Sequence, residues 1–104
     1  MNACAGDEIK RVDDELNKTY KLLLSTVKDN QLATTKIRSS RRVWILYRDA
    51  SVEAMYPAKD KAAEYGSMHP LEFALLHAQF TRRQIAALHD MPSRYQKQTQ
   101  PAVQ

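Results

Sequence analysis

Residues 7–28 read DEIKRVDDELNKTYKLLLSTVK. Ile9, Val12, Leu16, Tyr20, Leu23 and Val27 recur at steps of three and four, which places them on one face of an α-helix. The opposite face is charged. Asp7 with Arg11, Lys10 with Asp14 and Asp14 with Lys18 stand four apart and support a solvated helical surface. Asp7 and Glu8 near the start and Lys28 near the end suit the helix dipole. This stretch sets the class, because a helix-period stripe of this length has no place in a β-structure. The chain has 104 residues, enough for one domain. Glycine is only 2 and proline 4, too few for the turns of a barrel or sandwich or for a glycine-rich phosphate loop. With 43% hydrophobic and 27% charged residues the composition is globular rather than collagen-like or wholly disordered.

Working outward, Asp29-Asn30-Gln31 breaks the first helix, and a second is expected from Leu32 to Met55. Ala33, Ile37, Ser40, Trp44, Tyr47, Ser51 and Ala54 form its expected inner face. Val43, Ile45 and Leu46 spread apolar surface round most of the circumference, so this helix is expected to touch partners on more than one side. Tyr56-Pro57 ends it, since the residue before proline disfavours helix. Residues 57–66 form a polar connection, with room for a short helical turn at 59–65 and a stop at Gly66. A third long helix is expected from Pro70 to His89, with Phe73, Leu76, Phe80 and Ala87 as its stripe and Ser67 as its cap. The reading is all-α: an antiparallel bundle of three long amphipathic helices with one short extra helix in the second connection. Residues 1–6 are read as a lead-in, 7–91 as the domain and 92–104 as a disordered polar tail.

No run of about 18 apolar residues is present, so no span of a membrane is expected. The longest apolar run, Val43 to Tyr47, is too short for a signal-peptide core, so no export signal is expected in the chain as it stands. A single cysteine, Cys4, excludes an internal disulfide. The charge of +4 and pI near 9.3 favour acidic partners without demanding nucleic acid.

Catalytic signatures are sparse. There is no Gly-x-Ser-x-Gly elbow, no His-Glu-x-x-His and no phosphate loop. His69, His77 and His89 are never four apart, so no helical face offers a two-histidine metal grip. His77, on an apolar stripe, reads as a hydrogen-bonded core or rim residue. Asp13, Asp14 and Glu15 are adjacent and read as a solvated face, because acid–base catalysis needs two carboxylates in different environments. Lys36, Arg38, Arg41, Arg42 and Arg48 crowd the second helix. Nucleic-acid binding would need stacking aromatics beside them, and Trp44 and Tyr47 fall on the opposite, core-facing side. Cys4 admits three readings: a leftover thiol, an intermolecular disulfide, or the lipidated first residue of a lipoprotein. No cofactor and no metal are expected.

Four segments then stand in a familiar order: DDELNKTY (Asp13–Tyr20), RRVWILYRDA (Arg41–Ala50), YGSMHP (Tyr65–Pro70) and FTRRQIAAL (Phe80–Leu88), with Cys4 before them. Together they resemble the LprI-like family, the lysozyme-inhibitor domain of bacterial envelope and secreted proteins. Leu16, Asn17, Tyr20, Trp44, Tyr47, Arg48, Asp49, Gly66, Ser67 and Thr81 carry the match, and each also has a structural reading; Arg48 and Asp49 are expected to leave the core face and pair with neighbouring helices. Family members usually carry further cysteines where this chain has Ser51 and about Leu76, and an arginine where it has Gln84. The resemblance therefore implies a disulfide-free member. It also leaves a cytoplasmic location open beside the periplasmic or secreted one.

The resemblance implies a non-enzymatic envelope protein that blocks a lysozyme or other cell-wall hydrolase by occlusion. The connection 59–67, with Asp60, Glu64, Tyr65 and Ser67, is the expected binding loop, since loops on rigid scaffolds often carry recognition. The basic second helix would not help, because lysozyme is itself basic. A membrane would be met only through lipid on Cys4, and oligomeric state is not legible. Two rival readings stand beside this one. One is a helical or immunity-type module for another protein, suggested by Cys4 and the basic helix. The other is a small all-α chorismate-mutase-like enzyme, suggested by IKRVDDELNKTY and using Arg11, Lys36 and Arg48; the later motifs do not fit it.

Overall fold

A computed structural model describes residues 2–99. It contains four α-helices and, among the described residues, no strand: α1 (Asn2–Thr26), α2 (Gln31–Met55), α3 (Lys61–Tyr65) and α4 (His69–Thr99). Side chains are described from Gly6 to Tyr95, so the side chain of Cys4 lies outside the described residues. No described helix is long and apolar enough to cross a membrane.

The stripe of α1 packs as its spacing dictates. Val12, Leu16, Tyr20, Leu23 and Val27 are buried and Ile9 is half-buried. The break after α1 is built by Asn30. Its backbone is extended, and its side-chain Oδ1 accepts from the Ala33 N–H at 2.9 Å, which caps α2.

The buried face of α2 differs from the expected one. Ala33 and Ile37 are buried, but Arg48 and Val52 follow, and Tyr47 is 59% exposed. Arg48 was expected off the core face. The expected face steps by 3.5 residues, whereas a straight α-helix turns every 3.6, so over its length the inward positions shift from Tyr47 to Arg48.

In α4 the most buried positions are Ala74, His77, Ala78, Thr81, Ile85 and Leu88, while Ala87 is exposed. The small side chains Ala74, Ala78 and Thr81 let α1 approach closely. Asp13 meets His77 and Tyr20 meets Gln84, seven residues further along both helices, so α1 and α4 run in the same direction. The N-cap position of α4 is Met68 rather than Ser67, and Pro70 sits in the first turn, where no N–H is required.

Both ends of the chain depart from expectation. The lead-in is helical from Asn2, and α4 continues through Pro92 to Thr99 where a disordered tail was expected from residue 92. Pro92 cannot donate to the Leu88 carbonyl. The helix survives because Met91 and Tyr95 pack against the core cluster of Leu16, Tyr20, Leu23 and Ile85. Arg94 Nε donates to Asp90 Oδ2 at 2.8 Å across the proline. Tyr95→Ala should therefore lower stability by about 1–2 kcal/mol, less than half the loss for a fully buried ring. Thermal unfolding followed by circular dichroism measures this, and an unchanged midpoint would show that the segment contributes nothing.

Candidate functional site

Two groupings of polar residues stand out. The first lies where α1, α2 and α4 meet. Arg48 is 8% exposed, and its guanidinium is the hub. Its Nη1 lies 3.5 Å from Asp13 Oδ1 and 3.5 Å from Thr81 Oγ1, and its Nε donates to Asp49 Oδ1 at 3.0 Å. Asp13 Oδ1 also meets His77 Nε2 at 3.2 Å. Thr81, fully enclosed, donates its hydroxyl proton to the His77 carbonyl at 2.9 Å. The Arg48 guanidinium stands 5.0 Å from the Trp44 ring centroid. One layer further along, Arg41 donates to Asn17 and lies 4.9 Å over the Tyr20 ring, and Gln84 donates to the Tyr20 hydroxyl at 3.1 Å.

Sequence reasoning placed Asp13 in a solvated run. Asp14 and Glu15 are indeed exposed, but Asp13 turns inward and is half-buried. The missed signal was its place beside Val12 on the edge of the stripe, facing an arginine-bearing helix. Each carboxylate and hydroxyl in this cluster has a partner on another helix or in its own turn, so the cluster joins the helices.

The second grouping is the connection between α2 and α4. Asp60 accepts from the Ala63 N–H at 3.1 Å and caps α3. Gly66 ends α3 with φ 80° and ψ −170°, a region essentially reserved for glycine. Tyr65 is half-buried: it stands edge-on to Tyr56 at 5.2 Å and stacks on His69 at 5.5 Å, and its hydroxyl accepts from the Ala58 N–H at 3.0 Å. Lys61 Nζ donates to the carbonyls of Tyr56 and Ala58 at 2.6 and 2.7 Å and pairs with Glu53 at 2.7 Å. His69 Nε2 is enclosed by these rings without a hydrogen-bond partner among the described residues. Of the four residues expected to bind, Asp60 and Tyr65 are therefore engaged in holding the connection, while Glu64 and Ser67 stand exposed on its surface with Lys59 and Met68.

This knob lies at one end of a molecule 60 Å long. The first turns of α1 are at the same end, because Asp13 meets Arg48 and α1 runs opposite to α2. Residues 7–13 and 48–72 together carry eight carboxylates against five Lys and Arg, a net charge of −3. The rest of the chain carries four against eleven, a net +7. The overall basicity thus conceals an acidic end.

Comparison with known proteins agrees with the order of motifs. The family described as "Lysozyme inhibitor LprI" matches residues 1–88. An uncharacterized protein of Rhizobium meliloti (strain 1021) is 31% identical over 103 residues, covering 88% of this chain and 70% of that protein. No solved structure matches.

Two outcomes follow from this geometry. Asp13→Ala removes one partner of a buried guanidinium and should lower stability by about 1.5–3 kcal/mol, whereas Asp14→Ala next to it should stay within about 0.5 kcal/mol. Equal values in chemical denaturation would contradict the assignment of Asp13 to the junction. Burial of the Tyr56 ring, together with the Glu72 carboxylate that accepts its O–H at 3.4 Å, and Tyr65 close by, raises the Tyr56 pKa above the ordinary value. Its contribution to stability is complete below the ordinary tyrosine range and is lost as pH rises through the raised value. In an ultraviolet titration Tyr56 should ionise after a free tyrosine, and Glu72→Gln should shift it back down. No shift on that substitution would mean that Glu72 does not govern it.

Proposed function

Because this chain belongs to the LprI family of lysozyme inhibitors, we propose that it is a non-enzymatic binding protein that blocks a lysozyme or related cell-wall hydrolase by occlusion. The observation that carries the proposal is the acidic end with its braced knob. Lysozyme is basic, and long-range attraction would draw it to this end rather than to the basic body. Asp60 and Tyr65 would position the knob, and Glu64 and Ser67 would make contact. A connection braced by a cap, a lysine bridge and a cluster of three rings, one pair stacked and the third edge-on, loses little freedom on binding, which favours affinity. The reading places the protein in the periplasm or outside the cell, with any membrane attachment through lipid on Cys4.

The test is residual activity of chicken-type, goose-type and invertebrate-type lysozymes titrated with the full chain. One type should be inhibited stoichiometrically. The pair Glu64→Ala and Ser67→Ala should weaken that inhibition by about 30-fold or more, the effect of losing one hot spot. Inhibition of none of the three by folded, helical protein would exclude lysozyme as the target. Undiminished inhibition by the double variant would exclude the knob.

A further inference from the structure

We propose that the outer face of α2 is a self-association surface, and that the chain pairs with a second copy of itself through two antiparallel α2 helices. This helix carries apolar residues round most of its circumference, yet its own chain covers only part of it. Val43, Leu46 and Tyr47 remain 61%, 67% and 59% exposed in the middle of the helix. Val43 and Tyr47, with Ser39, Ser40, Trp44 and Gln84, line a shallow groove between α2 and α4. Monomeric proteins seldom leave adjoining large apolar side chains on one face without a partner.

Two features select a second copy as that partner. The first is spacing. Lys36, Ser40, Val43, Tyr47, Ala50 and Ala54 repeat at steps of four and three, the seam of a two-stranded coil, and all six are exposed. The seam is small at Ser40, Ala50 and Ala54 and large at Val43 and Tyr47. A two-fold axis level with Ile45, one residue from Leu46, therefore sets the tyrosine of one copy over the valine of the other and Ser40 over Ala50. The second is charge. Of the charges on α2, Arg41 is held by Asn17 and Asp49 by Arg48 within the chain, while Lys36 stands on the seam near its start and Glu53 beside its end. An antiparallel pair brings Lys36 of each copy level with the side of Glu53 that Lys61 leaves free in the other, whereas a parallel pair sets Lys36 against Lys36. The interface is isologous, so it closes at two copies. It does not depend on the inhibitor reading.

Sedimentation velocity under reducing conditions, which removes any link through Cys4, tests the proposal. From low micromolar to submillimolar concentration the full chain should move from its 12.0 kDa mass to twice that value. Leu46→Glu should remain at single-chain mass with unchanged helical circular dichroism, since the side chain it replaces is exposed. A single-chain mass at every concentration overturns the proposal, as does a Leu46→Glu variant that still dimerises. Position is tested independently in a Cys4→Ser background. Leu46→Cys should oxidise rapidly to a linked dimer, and Leu22→Cys, equally exposed on α1, should not. Equal rates for the two would place the contact elsewhere and contradict the axis.

Discussion

The Arg48 guanidinium, held by Asp13 from α1, Thr81 from α4 and Asp49 from its own helix, is the interaction on which the arrangement of the long helices depends. Apolar stripes alone specify that helices pack, but they tolerate sliding and rotation. A buried charge does not, because any register that separates it from its partners leaves it desolvated and unpaired. Arg48 therefore fixes the rotation of α2 and its height against both neighbours. The layer of Arg41, Asn17, Tyr20 and Gln84 repeats the device about two turns away. Most of the residues that carry the family resemblance in α1, α2 and α4 belong to these two layers, which is a structural reason for their appearing together in order. With no disulfide available from a single cysteine, such polar joints and the apolar core hold the helices.

Much of the fold was legible in the sequence because the signals are local. The stripe of α1, the break before Gln31, the stop at Tyr56-Pro57 and the stop at Gly66 each follow from residue types within a few positions. What misled was tertiary. The inward face of α2 was assigned by a repeat of 3.5, and the true inward position fell on Arg48, which no apolar count would choose. Asp13 was grouped with its acidic neighbours, and only the helix opposite distinguishes it from Asp14. Pro92 and the polar stretch after it read as a terminus, whereas Met91 and Tyr95 supply enough contact with the core to carry α4 past the proline.

The connection proposed as the site was legible as a segment, but the contacts of its residues were not. The connection 59–67 could be singled out as the longest irregular segment. Its residues, however, divide between those that brace it, Asp60 and Tyr65, and those left exposed, Glu64 and Ser67. That division rests on contacts with Tyr56 and His69, which lie outside the segment. Net charge was a poorer guide still. The total of +4 argues for acidic partners, but it is the sum of an acidic end and a strongly basic body. The proposed cationic target and a basic chain are compatible once the charge is placed along the long axis.

The central claim is a separation of duties, with the polar layers holding the helices and the knob meeting the partner. Amide chemical shifts, followed while a lysozyme is added to isotopically labelled full-length protein, test it most directly. The account predicts perturbations gathered at residues 59–68 and the adjoining helix ends, with the amides of Asp13, Arg48 and Thr81 unmoved. Perturbations centred on those three residues would contradict it.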